Sequence, residues 1–160
     1  MSYSVTLGYG TRTAYPNTTC INSVASNAAC TIGGVDSTAT SPVANPVGFK
    51  VDIVVKLAST GVTSTGVLTV YLIESADGGT TWSDGLATSS TSIASTTIKG
   101  ATPILVTPAN ANSQTVQVVF DMPSTFTPKN HTLLLLNGSG AALSGTGHSV
   151  SYTPITYTIG

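Results

Sequence analysis

The stretch Phe49-Lys50-Val51-Asp52-Ile53-Val54-Val55-Lys56-Leu57 sets the fold class. Phe49, Val51, Ile53, Val55 and Leu57 recur at every second residue and share one face, with Lys50, Asp52 and Lys56 on the other. A period of two with one apolar and one wetter face is what a strand of an antiparallel sheet requires. The same period extends in both directions along the chain. Gln114 to Asp121 turns Val116, Val118 and Phe120 inward, and Val67 to Glu74 places Leu68, Val70 and Leu72 on one face and Thr69, Tyr71 and Ile73 on the other, both faces being fairly apolar. Further strands are expected at Ser4–Tyr9, Pro103–Val106, Thr132–Asn137 and Ser149–Ile159. Each is rich in Val, Ile, Leu, Thr or Tyr and bounded by Gly, Pro, Asn or Asp.

Nowhere do apolar residues recur at i, i+3, i+4 and i+7 over three turns, so helix is limited to a turn or two. Short strands punctuated by Gly and Pro, with no helices between them, predict an all-β chain. The expected architecture is a single-domain antiparallel β-sandwich over residues 1–160, of jelly-roll or Ig-like topology. Two stretches do not read as core. Arg12 to Pro46, rich in Asn, Ala, Ser and Pro, is expected as a long loop or arm, and Leu86 to Thr102 as a Ser/Thr-rich loop or edge segment. Loops of that length inside compact domains are commonly functional or ordered by a partner. No repeat with a period of about 20–50 residues is present, which excludes a solenoid or propeller.

Composition narrows the function. Only 7% of the residues are charged, five Lys+Arg against six Asp+Glu, whereas 20 are serine and 28 threonine. Soluble domains average about 25% charged residues. Five scattered cations and a net charge of −1 make no basic stripe, which argues against nucleic acid and against a membrane surface as partners. A hydrophobic content of 41% is enough to build a core and argues against disorder. The longest aliphatic run, Leu133 to Leu136, is far short of the roughly 20 residues of a spanning helix. Met1 to Thr6 has neither a cationic nor an apolar leader region, so no export leader is expected. The sequons at Asn17, Asn130 and Asn137 follow from the abundance of Ser and Thr and are not read as glycosylation sites.

Cys20 and Cys30 lie in a polar stretch without strand or helix periodicity. A disulfide between them closes a short loop and contributes about 2–3 kcal/mol; two buried thiols in a reducing cell are the alternative. Without paired histidines nearby they make no zinc site.

Ser75-Ala76-Asp77-Gly78-Gly79-Thr80-Thr81-Trp82 matches S-x-D-x-G-x-T-W and resembles the Asp-box of sialidases and related β-propellers. In such a hairpin, whose motif residues are Ser75, Asp77, Gly79, Thr81 and Trp82, the carboxylate of Asp77 caps turn N–H groups, Gly79 takes positive φ and Trp82 packs beneath. The motif marks a hairpin and not sialidase chemistry, which implies several boxes and an arginine cluster where this chain has one box and one arginine, Arg12. Asp77 and Asp84 are read as turn caps rather than calcium ligands. His131 and His148 are the only histidines, and no G-x-S-x-G elbow accompanies them. Gly138-Ser139-Gly140 and Gly145-Thr146-Gly147 read as turns. No catalytic residue, metal set or cofactor is expected. Trp82 and the six tyrosines could form a sugar-stacking platform, but strands are enriched in aromatics in any case.

A nearly uncharged, hydroxyl-rich exterior suits burial against other protein, because neutrality promotes association. The Met-Ser start, the Ser/Thr/Ala/Gly-rich single β domain and the strand Val70 to Glu74 running into the Asp77 hairpin together resemble small structural proteins of tailed bacteriophages, especially capsid decoration (cement) proteins. The resemblance implies a β-sandwich or jelly-roll virion subunit, a homotrimer, made in the host cytoplasm. It would sit on the outer capsid and bridge neighbouring major-capsid subunits, with Arg12 to Pro46 and the termini as expected contacts. A tail or fibre component shares these features, and a carbohydrate-binding module of sandwich fold is the other alternative.

Overall fold

The computed structural model describes residues 4–36, 47–75, 93–94, 103–123 and 130–159. The chain forms an all-β sandwich of two antiparallel sheets. Its strands are β1 (Val5–Tyr9), β2 (Thr13–Ala14), β3 (Ala28–Asp36), β4 (Gly48–Lys56), β5 (Val67–Ser75), β6 (Ile93–Ala94), β7 (Pro103–Pro108), β8 (Thr115–Pro123), β9 (Asn130–Gly138) and β10 (Ser149–Ile159), with one short 3-10 helix at Thr18–Ile21. The first sheet runs β1-β10-β4-β8, with β2 also on β10, and the second runs β6-β3-β9-β5-β7.

This order has a simple origin. The chain pairs as a long hairpin folded on itself: β1 and β2 with β10, β3 with β9, β4 with β8, and β5 with β7. Successive pairs go to alternate sheets, which is the jelly-roll arrangement. β1 and β2 act as one edge strand. Tyr9 stands opposite Ile155 and Thr13 opposite Tyr152, while the Gly10 N–H donates to the Pro154 carbonyl at 2.9 Å. Thr11 and Arg12 therefore share the single position opposite Thr153, a bulge that turns the Arg12 side chain across the sheet.

The core lies where the inner faces meet. From β4 come Phe49, Val51, Ile53 and Val55, followed by Leu57; from β10 Val150 and Tyr152; from β9 Leu133 and Leu135; from β5 Leu68 and Val70. Lys50, Asp52 and Lys56 face outward as their alternation predicts, and Val116, Val118 and Phe120 turn to the core. The second sheet is also buried on its outer face, where Ala29, Ile73 and Leu134 cluster with the half-buried Tyr71 and Leu136. Two-sided burial explains the unbroken leucine run of β9 and the apolar character of both faces of β5, because a strand covered on both sides needs no polar alternation.

The stretch expected as a long loop or arm is different in structure. Residues 12–36 hold β2, the 3-10 helix and β3, and Tyr15, Cys20, Ile21, Cys30 and Ile32 belong to the core, while residues 37–46 of that stretch lie outside the described residues. Its small residues hide the strand: β3 reads Ala-Ala-Cys-Thr-Ile-Gly-Gly-Val-Asp, and its register shifts between Thr31 and Gly34. Of the Ser/Thr-rich segment Leu86–Thr102, β6 is an edge strand paired with Ala28 and Ala29; the rest lies outside the described residues.

Phe49→Ala removes a buried ring that contacts His131 and Tyr152, and is expected to cost about 3–5 kcal/mol. Val119→Ala, on the exposed face of β8, should stay within about 0.5 kcal/mol. Urea denaturation of both variants measures the contrast.

Candidate functional site

The candidate residues scatter rather than converge. Ser75 ends β5 opposite Asn130, whereas Asp77, Gly79, Thr81, Trp82 and Asp84 lie outside the described residues. Cys20, on the 3-10 helix, and Cys30, on β3, meet in the core with sulfurs 2.7 Å apart, so the fold brings together the pair that the sequence offers as a disulfide. A hydrogen bond with Cys20, then burial, then the neighbouring sulfur push the Cys30 thiol far above its ordinary range and keep it protonated. Neither sulfur is placed to act as a nucleophile on an external substrate.

The two histidines occupy unrelated places. His131 is buried between the sheets, sharing a 3.1 Å hydrogen bond between its Nε2 and the Tyr15 hydroxyl and packing against Phe49. Burial first and then the nearby Tyr152 push the Tyr15 hydroxyl well above its ordinary range, so it stays neutral. His148 precedes β10: its Nδ1 accepts the Lys56 N–H at 3.2 Å, which leaves the ring proton on Nε2 to donate to the Ser144 carbonyl at 2.7 Å. Ser139 is buried elsewhere, its hydroxyl 2.7 Å from Asn137 Oδ1 and 3.1 Å from the Ala141 carbonyl. Serine, histidine and carboxylate are thus not gathered into a relay among the described residues.

Asn137 is the centre of a polar knot at this end of the sandwich. Fully buried, its amide donates to the carbonyls of Val24 (2.9 Å), Ala25 (3.2 Å) and Ala141 (2.8 Å), while its Oδ1 accepts the Ser139 N–H at 3.0 Å. The Asn137 sequon is therefore closed to modification in the folded protein. In sequence this knot looks like an ordinary Asn-Gly-Ser-Gly turn, and only the distant carbonyls reveal it.

Asp52 and Asp121 both lie on the outer face of the first sheet, and each is ion-paired. Arg12 reaches across β10 to Asp52 (2.7 Å), held on the way by Ser151 (2.6 Å), and Gln117 donates to the other oxygen of Asp52 (3.3 Å). Lys50 and Asp121, directly opposite each other on β4 and β8, pair at 2.8 Å, and that hydrogen bond raises the lysine above its ordinary range. Neither arrangement sets two carboxylates on opposite sides of a cleft, as glycoside hydrolysis needs. No group of three or more metal-ligating side chains occurs among the described residues, and no helix among them is long and apolar enough to cross a membrane.

The same face changes character toward the ends of the chain. The pairing of β10 with β4 runs from Ser149 to Ile155, whereas its pairing with β1 continues to Ile159. The result is a two-stranded ribbon. Val5, Leu7 and Tyr9 stand opposite Ile159, Tyr157 and Ile155, all on one side, and five of these six are exposed, from 51% at Leu7 to 72% at Ile159. The opposite side carries Thr6, Gly8, Thr156 and Thr158. A Cβ at Gly8 would come within 2.9 Å of the Thr156 hydroxyl, so a larger residue there must turn that side chain aside. Sequence alternation identifies these apolar residues as sharing a face but not that the face is uncovered. Among the described residues this ribbon is the surface best suited to contact with a partner.

Comparison with protein families, curated proteins and solved structures finds no match to this chain.

Asn137→Asp replaces the donating amide with an oxygen facing three carbonyls, and is expected to lower stability by about 3–5 kcal/mol in chemical denaturation. Cys20 and Cys30 should resist a thiol-alkylating reagent in the native protein and react once it is unfolded, as read by mass spectrometry.

Proposed function

We propose that this chain is a non-enzymatic structural subunit of a virion, decorating and stabilising a phage capsid by bridging neighbouring major-capsid subunits. The observation that carries the reading is the outer face of the first sheet: an apolar ribbon beside a surface on which Arg12 pairs with Asp52 and Lys50 with Asp121, Lys56 standing at its far end. Such a surface gains more from contact with protein than from water, and it gives little field to attract a charged small molecule or nucleic acid. The jelly-roll sandwich is a rigid platform for it, although the fold alone hosts many functions.

In this reading the mechanism is mechanical. Each copy contributes roughly 800 Å² per partner to more than one capsid subunit, and engagement of several subunits at once resists the outward push of packaged DNA. The capsid contacts are the polar strip of β10, β4 and β8 that lies beside the ribbon. Residues 12–36 are woven into the core, so they serve as scaffold and not as a detachable arm. A tail or fibre component is the alternative that shares these features. A carbohydrate-binding role is less well supported: Tyr9 and Tyr157 share the ribbon face, but Val5, Leu7, Ile155 and Ile159 surround them and offer no hydrogen bonds to sugar hydroxyls.

The test is co-sedimentation of the purified protein with empty heads assembled from the cognate major capsid protein. Saturable binding, with a stoichiometry set by the capsid lattice and a raised temperature of head disruption, is expected. Protein left in the supernatant at all concentrations would sink the reading.

A further inference from the structure

We infer that the apolar face of the terminal ribbon is a self-association surface, packing against the same face of a second copy of this chain across a two-fold axis. The inference goes beyond the capsid reading and does not depend on it.

The argument starts from segregation. A ribbon wetted on both sides has no reason to sort its residues, yet Val5, Leu7, Tyr9, Ile155, Tyr157 and Ile159 all fall on one side and threonine and glycine on the other. The apolar side of the rest of the first sheet is its inner face, against the core. Here the apolar side is the outer one, continuous with Lys50 and Asp52, and none of the described residues covers it.

Area and charge select the occupant. Five of these side chains are half to three-quarters exposed and, at roughly 200 Å² each when fully exposed, hide on the order of 600 Å² per copy. Two such faces reach about 1,200 Å² in total, the lower bound of a stable specific interface. The patch carries no charge. Its rim holds Lys50 already paired with Asp121, so an approaching identical rim meets no net repulsion. A foreign strand added to the edge of β1 would leave this face open, whereas two twisted ribbons packed face to face cover it on both copies, as the sheets of a sandwich do. An isologous contact of this kind closes at two copies. The self-contact is thus two-fold, in place of the three-fold one that resemblance to decoration proteins implies.

The test is native mass by light scattering after size exclusion, on the purified full chain without capsid. The expected result is twice the 16.1 kDa chain. Leu7→Lys puts a charge at the middle of the face and should halve that mass, while Val106→Lys, equally exposed but on β7 of the other sheet, should leave it unchanged. Far-ultraviolet circular dichroism verifies folding of each variant, and Ile159→Lys, at the end of the ribbon, replaces Leu7→Lys if that variant loses its fold. A monomer, a trimer, a dimer indifferent to the ribbon lysine, or a dimer equally lost in Val106→Lys overturns the inference. Because no capsid is present, failure here leaves the head-binding experiment unaffected.

Discussion

The buried amide of Asn137 fixes the register of the strand on which the second sheet is built. β9 pairs with both β3 and β5, and its centre is four consecutive leucines. In a strand buried on both faces, sliding by one residue exchanges leucine for leucine, so hydrophobicity alone cannot hold it in place. The polar residues at its two ends can. Asn137 must reach the carbonyls of Val24, Ala25 and Ala141, and His131 must reach the Tyr15 hydroxyl. A slip would strand a buried amide and a buried imidazole, each at a cost of about 1–3 kcal/mol or more. The polar ends supply the specificity and the leucines the bulk of the burial.

From that register the rest follows. Tyr15, held by His131, anchors the segment leading from β2 into the 3-10 helix, and its ring edge meets Tyr152 of β10. The contact ties the two sheets together through aromatic rings near the middle of the core. At the Asn137 end, the Val24 and Ala141 loops are drawn together, and His148 and Lys56 complete the closure.

The strands with alternating patterns were legible in the sequence because alternation is a local property. Phe49 to Leu57 and Gln114 to Asp121 show it in full, and even the ends of the long β10 can be placed. β3 was not legible, since Ala28, Ala29, Gly33 and Gly34 have no strand preference and are recruited by the neighbours that flank them. The candidate surface was half legible. The strands of the ribbon and the faces of their residues could be read, but which face turns away from the second sheet depends on how β10 packs in the sandwich, which is tertiary information. The polar knot of Asn137 was hidden for the opposite reason: Val24 and Ala25, two of its partners, lie more than 110 residues away, where local turn chemistry gives no sign of them.

The pairing of β1 with β10 also has a consequence for synthesis. At 5–20 residues per second, the first strand leaves the ribosome on the order of ten seconds before its partner exists. Until then the first sheet lacks the strand that joins its edge to β4, and an apolar, charge-poor segment waits in solution with its edge unpaired. Non-local closure of this kind is slow and exposed to aggregation. The protein's yield in a cell will depend on what shelters that first strand while the last is being made.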